Sequence, residues 1–224
     1  FPSAEYETNN TIKNVGLFDL TPFSKFEIKS KKAHEVLQKI CTANIKSEIG
    51  KCTYTHMLNN DGGIEADLTV VCLDKDHFRI ISSAATRERD KFHIKKYLPE
   101  DIELHDVTDD YCVFGLFGPK SRNLMKSICT NNFDNENFKF GSSKLIEIDG
   151  TKIWAQRLSY VGELGYELYV KFDESKKIYD LLIKKGRDFN LSNCGMHAMD
   201  IMRMESGFLH WGHDISPEEN LYQA

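Results

Sequence analysis

The chain has 224 residues, room for one large domain or two small ones with a substantial core. Hydrophobic residues are 41% and charged residues 28%, ordinary for a soluble globular protein. A formal net charge of −5 with both signs dispersed offers no basic patch for nucleic acid or an acidic membrane, and no apolar run approaches the ~20 residues of a membrane span.

Taken in chain order, residues 17–28 read as a strand. Ser30 then caps a helix whose Ala33, Val36, Leu37, Ile40 and Cys41 follow helical spacing. Residues 53–58, 65–73 and 78–82 read as successive strands, and a highly charged helix over 86–98 stops at Pro99. Residues 111–117 form an apolar strand running into Gly118-Pro119, a helix start, with Leu124, Met125, Ile128 and Cys129 as its buried stripe. A polar loop over 131–137 precedes strands at 144–148, 153–160 and 167–172. Helices follow at 175–185, stopped by Gly186, and at 195–206, which carries Asp200 and Arg203 one turn apart. Residues 26–41 and 114–129 both run strand, cap, helix and end apolar-apolar-x-x-Ile-Cys, a weak echo that suggests two similar α+β lobes.

Cys41, Cys52, Cys72, Cys112, Cys129 and Cys194 are widely spaced with no C-x-x-C pair, so a disulfide framework is not expected. Polar first residues, unlike a signal segment, point to an intracellular protein, cytoplasmic or, in a eukaryote, in the mitochondrial matrix. The start at Phe1 without Met and the end over 217–224 read as a piece of something longer. His210-Trp211-Gly212-His213 supplies only two potential ligands, and no metal site is expected there.

Two segments carry candidate chemistry. Residues 59–63, Asn-Asn-Asp-Gly-Gly, are turn residues that tolerate positive φ. From Ile64 a strand puts Ile64, Ala66, Leu68 and Val70 on one face and Glu65, Asp67 and Thr69 on the other. Asp67 sits inside the strand, where a rigid element can aim a carboxylate, although a solvated face with two acids has the same pattern. In residues 159–169, Gly162 and Gly165 permit a tight reversal or a close ligand approach, and Glu167 shares a strand face with Tyr169. An acceptor-only carboxylate matches a ring edge with two parallel N–H donors, and Tyr160 and Tyr54 are candidate aromatic walls. Taken by itself, this segment is better read as a plain hairpin with solvated Glu residues and core tyrosines.

Five ordered motifs go further: residues 17–26 (LFDLTPFSKF), Tyr54 with the run ending Gly62-Gly63-Ile64-Glu65-Ala66-Asp67, Leu116-Phe117-Gly118-Pro119, Tyr160 to Glu167 (YVGELGYE), and Met202-Arg203-Met204-Glu205 with Trp211-Gly212-His213-Asp214. The series resembles the aminomethyltransferase (glycine-cleavage T-protein) family, and most closely the tetrahydrofolate-binding C-terminal region of FAD-dependent dimethylglycine and sarcosine dehydrogenases. The resemblance covers essentially the whole chain.

It implies an α+β fold of two related lobes with antiparallel sheets around a central folate cavity, with residues 1–50 plus 140–224 as a discontinuous first lobe and 51–139 as an inserted second. It implies tetrahydrofolate as the cofactor, capturing an iminium or formaldehyde equivalent as 5,10-methylenetetrahydrofolate. The implied partners are the folate and a methylated amine donor, with a covalent neighbour domain upstream and neither nucleic acid nor membrane. By motif position Asp67 matches the catalytic acid and Glu167 the residue gripping the pterin amino edge, while Tyr54, Thr69, Tyr160, Leu168 and Tyr169 fall where relatives line the folate pocket. Stand-alone T-proteins carry Arg where this chain has Met199, which favours the dehydrogenase type and removes one folate contact. FAD would belong to a domain outside this chain, which has no G-x-G-x-x-G fingerprint, as would a C-terminal barrel. A stand-alone aminomethyltransferase or demethylase, and a regulatory module that keeps the fold without catalysis, are the rival readings.

Overall fold

The computed structural model describes residues 1–224. Its first half runs α1 (Pro2–Lys13), β1 (Val15–Asp19), β2 (Ser24–Lys29), α2 (Ala33–Ile40), β3 (Cys52–Leu58), β4 (Ile64–Asp74), β5 (His77–Ser82), α3 (Arg87–Tyr97) and β6 (Leu104–Asp106). The second runs β7 (Tyr111–Phe117), α4 (Ser121–Ile128), β8 (Ser143–Ile148), β9 (Thr151–Gln156), β10 (Gly165–Lys171), α5 (Phe172–Gly186), β11 (Leu191–Cys194) and α6 (Met196–Glu205). These elements make two compact units, Phe1–Thr21 with Asp109–Phe208 and Pro22–Thr108 with Leu209–Ala224.

The unit boundary explains why residues 17–28 are not one strand. Pro22 has no N–H to donate to a ladder, and the Thr21 N–H turns back onto Asp19 Oδ1 at 2.9 Å. β1 therefore pairs with β7 and β11 in one sheet, while β2 pairs with β5 and β6 in the other. These pairings place the boundaries at 21/22, 108/109 and 208/209 rather than at 50/51 and 139/140.

The first unit holds a six-stranded sheet in the order β11-β1-β7-β10-β9-β8, antiparallel except for the β1–β11 pair. Leu116, Tyr166, Leu168 and Ala155 from one sheet face pack with Leu124 and Met125 of α4 and Ile178 and Leu182 of α5. Each such burial contributes about 1.5–3 kcal/mol, which is what holds an eight-residue helix such as α4 that is marginal alone. α1 has no apolar stripe and so left no periodic signal. Its buried positions are Ala4, Thr8 and Thr11, and polar bonds tie it down: Asn10 Nδ2 donates to Asn190 O at 2.9 Å, and Glu7 Oε2 accepts from the Gly195 N–H at 2.7 Å. Gly118 has φ +121° and lies so close to α1 that a Cβ would sit 2.4 Å from Asn14 O.

The second unit holds a five-stranded antiparallel sheet, β3-β4-β5-β2-β6. Its core joins Phe26, Ile28, Ala66, Leu68, Val70, Phe78 and Ile80 to Val36 and Leu37 of α2 and Ile94 of α3. On the opposite sheet face Glu27 lies directly across from Arg79, which is 1% exposed and grips Glu27 Oε1 through Nε (3.0 Å) and Nη2 (2.7 Å). The echo between residues 26–41 and 114–129 appears as β2–α2 in one unit and β7–α4 in the other, each helix ending on an extended Cys.

Several ends differ from the periodicity. α2 starts at Ala33 with Lys32 as its cap, and Ser30 Oγ accepts from the Lys32 N–H at 3.2 Å instead of capping the helix. α4 starts at Ser121, β9 stops at Gln156, and α5 begins at Phe172. The short β6 and β11 lack the alternation that marks longer strands.

Candidate functional site

The β3–β4 turn is built as its residues dictate. Asn59 Oδ1 accepts from the Asp61 and Gly63 N–H groups at 2.9 and 2.8 Å, and Gly62 takes φ +85°. From there Ile64, Ala66, Leu68 and Val70 enter the core, so Glu65, Asp67 and Thr69 are forced onto the other face. The ladder places Tyr54 directly opposite Thr69 and His56 directly opposite Asp67. Four polar side chains thus share one patch of sheet.

Tyr54 Oη donates to Asp67 Oδ2 at 3.4 Å, and the Tyr54 and His56 rings meet edge to face with centroids 5.1 Å apart. Burial pushes the Asp67 carboxyl up to about 6, the Tyr54 hydrogen bond opposes this, and the Asp90 carboxyl nearby adds to the rise. Burial pushes His56 below the usual imidazole range, so its ring is neutral at pH 7. Asp90, on α3, is fully buried; it accepts from Thr86 Oγ1 at 2.7 Å, and burial raises its pKa. Reasoning from sequence missed His56 and Asp90. The alternation Tyr54-x-His56 opposite Asp67-x-Thr69 was a signal for the first, and nothing local marked the second.

Glu65 is not a solvated acid. Arg89 of α3 pairs with it, and the same guanidinium lies 4.4 Å from the Trp211 ring centroid. Trp211 Nε1 donates to Ile64 O at 2.8 Å, Ile64 N–H donates to Glu219 O at 2.9 Å, and Gly63 bridges Asn220. Residues 211–220 therefore line the edge where β4 begins. The His210 and His213 rings contact each other at 4.4 Å.

In the first unit Glu167 lies on β10 opposite Gly115, where a Cβ would sit only 2.7 Å from the Phe117 ring and 3.0 Å from Leu20, so the glycine lets those two side chains pack against this face. Tyr169, almost fully buried, donates through its hydroxyl to Glu167 Oε2 at 2.8 Å. Burial pushes the Glu167 carboxyl up to about 7, with the Tyr169 bond opposing. Leu168 points the other way, into the core with Tyr166 and Val170, so its side chain serves packing. Tyr160 lies in the bend after β9 and stacks on Phe208 at 6.0 Å. Met199 is buried, and Arg203 binds Asp200 Oδ1 and Phe208 O.

Each of the two antiparallel-rich sheets thus carries a carboxyl group with a raised pKa on the face away from its core. The chain belongs to the GCVT N-terminal domain family, whose model matches residues 1–224. It is 37% identical over 213 residues to 4-methylaminobutanoate oxidase (formaldehyde-forming) of Paenarthrobacter nicotinovorans, an alignment covering 95% of this chain and 26% of that protein. It is 30% identical to mitochondrial dimethylglycine dehydrogenase of Rattus norvegicus (97% and 26%) and 32% identical to aminomethyltransferase of Halothermothrix orenii (97% and 61%). The fold matches the crystal structure of glycine cleavage system aminomethyltransferase T from Bartonella henselae with a TM-score of 0.85 at 22% identity, over 97% of this chain and 58% of that one. The chain thus spans less than two thirds of each of these proteins.

Proposed function

We propose that the chain binds tetrahydrofolate and promotes capture of a one-carbon unit as 5,10-methylenetetrahydrofolate, as the folate module of a dimethylglycine/sarcosine dehydrogenase-like protein. The carrying observation is Asp67: a carboxyl of pKa about 6 on a rigid strand, flanked by Tyr54, His56 and Thr69. Such a group is mostly ionised at pH 7 yet basic enough to take a proton from a reacting amine.

The residues present fit a pterin. Tyr169 occupies Glu167 Oε2, leaving Oε1 to accept, and an ionised carboxylate suits a ring edge that presents N–H donors. When bound, the tetrahydrofolate supplies the nucleophilic nitrogen. Glu167 accepts from the amino edge and fixes the orientation of the ring. Asp67, while ionised, would accept the hydrogen bond of the reacting N–H and oppose positive charge on the incoming one-carbon unit. It would take the nitrogen's proton only once the new N–C bond has formed. Tyr54 and Thr69 hold Asp67's face of the sheet, and the neutral His56 adds no cation to compete with the iminium.

The donor in this reading is a methylated amine oxidised by an FAD domain elsewhere in the polypeptide. Similarity to the oxidase and dehydrogenases, and Met199 at the T-protein arginine position, support that context. Calorimetry of the full protein with tetrahydrofolate, followed by assay of methylenetetrahydrofolate from dimethylglycine, sarcosine and 4-methylaminobutanoate, tests it. Tight binding and product formation with one of these amines are expected. A full protein that does not bind tetrahydrofolate ends the reading, and a gene product without a dinucleotide-binding region shifts it to a stand-alone aminomethyltransferase.

A further inference from the structure

One row of side chains runs across the face of the first unit's sheet that carries Glu167. Ser143 on β8 pairs with Gln156 on β9, Gln156 pairs with Glu167 on β10, and Glu167 pairs with Gly115 on β7. Directly paired residues project to the same side with Cβ atoms roughly 4.5–5.5 Å apart. Gln156 is 0% exposed, yet neither its Nε2 nor its Oε1 has a hydrogen-bond partner in the protein, and the buried Ser143 Oγ has none either. A carboxamide placed so destabilises the fold unless something else satisfies it. Leu or Met would fill the volume without that cost, so the amide points to a ligand.

The order of chemical groups along the row says which ligand. Ionised Glu167 offers acceptors only, while Gln156 adds an N–H donor beside its own carbonyl and Ser143 a hydroxyl that can donate or accept. Acceptor beside donor is the complement of a ring edge that presents N–H groups followed by a carbonyl oxygen, the 2-amino-4-oxopyrimidine edge. A carboxylate alone grips the two N–H groups but takes no hold of the carbonyl.

We propose that Gln156 is a specificity-determining residue that donates to the 4-oxo oxygen of the bound ring, selecting 2-amino-4-oxo over 2,4-diamino heterocycles, with Ser143 supporting it. This rests on the folate reading of Glu167 and extends it to a residue outside the motif. Gln156→Met removes the donor at nearly constant volume. Gln156→Glu replaces the donor by an acceptor suited to a 4-amino group.

The test titrates tetrahydrofolate and its 4-amino analogue, under anaerobic reducing conditions, into the full wild-type protein and both variants by calorimetry, with thermal melts of each free protein. For Gln156→Met the Kd for tetrahydrofolate rises about tenfold, the Kd for the 4-amino analogue stays within about twofold, and the melting temperature holds or rises. For Gln156→Glu the preference moves further toward the 4-amino ring. An unchanged ratio of the two Kd values in both variants overturns the assignment, even if affinity for both rings falls together. Wild-type protein that binds neither ring overturns the folate reading as well, so the two failures are distinguishable.

Discussion

Asp67 and His56 are direct partners across the β3–β4 ladder, one an acid lifted to about 6 and the other an imidazole held neutral by burial. A protonated His56 at this spacing would stabilise the Asp67 carboxylate and push its pKa down. The neutral ring leaves Asp67 a base of useful strength at pH 7. The same sheet face thus sets both the position and the basicity of the proposed catalytic acid.

Replacing Asp67 by Asn separates these roles. The amide keeps the shape and an acceptor oxygen but neither takes a proton nor opposes positive charge. Asp67→Asn is expected to keep the Kd for tetrahydrofolate within about threefold while lowering one-carbon transfer by 10²-fold or more, the usual scale for a general base. Transfer by the variant at the wild-type rate in single-turnover assays would remove Asp67 from the chemistry.

The pH dependence follows from the same carboxyl groups. Asp67 rises from 3.8 to about 6 and Glu167 from 4.5 to about 7, so both favour the folded state when protonated. Their contribution is fully present below the unfolded values and is lost as pH rises through about 6 and about 7. The ligand-free protein is therefore expected to melt several degrees lower at pH 7.5 than at pH 5, with the drop reduced in Glu167→Gln. Glu27 works in another window. Burial alone would raise it, but the His77 hydrogen bond and Arg79 outweigh that and hold it at about 2, so its contribution disappears only below about pH 4.5. A melting temperature flat between pH 5 and 7.5 would contradict the assigned shifts.

In the proposed reading Glu167 carries the recognition of the ring. Glu167→Ala removes the charge-assisted contact of Oε1 to the amino edge and the acceptor that Oε2 gives the buried Tyr169 hydroxyl. Binding of tetrahydrofolate is expected to weaken by about 2–4 kcal/mol, a Kd change of some 30- to 1,000-fold, measured by calorimetry. Tyr169→Phe gives a smaller loss, because Glu167 remains but is less firmly aimed.

How far these sites could be read in advance depended on how local their signals are. The turn at 59–63 and the alternation from Ile64 to Val70 are set by neighbouring residues, so the face carrying Asp67 was legible from the sequence, as was the sharing of a face by Glu167 and Tyr169. α1 was not, because Thr and Ala fill its buried face and long-range polar bonds hold it. The division at Thr21/Pro22 depends on which strands β1 and β2 find, a pairing about 50 to 100 residues away in sequence that no local pattern encodes. Leu168 fell among motif residues, yet strand alternation next to Glu167 requires it to face the core. Gln156 is polar at the end of an apolar strand and gains meaning only from its partner across the sheet.

Trp211 ties the last stretch of the second unit to the hairpin bearing Asp67, and its removal should show there first. The ring gives up the Arg89 stacking contact, worth about 0.5–2 kcal/mol, and the Nε1 bond to Ile64 O, worth about 1 kcal/mol more. Trp211→Ala is expected to destabilise the protein by about 2–3 kcal/mol in denaturant unfolding. Trp211→Phe retains the stacking and loses about half as much. Since Arg89 also holds Glu65, two positions from Asp67 on the same strand face, the alanine variant should also lower one-carbon transfer with little change in tetrahydrofolate affinity. Loss of stability in Trp211→Ala with transfer unaffected would show that the strap holds the fold together without positioning Asp67.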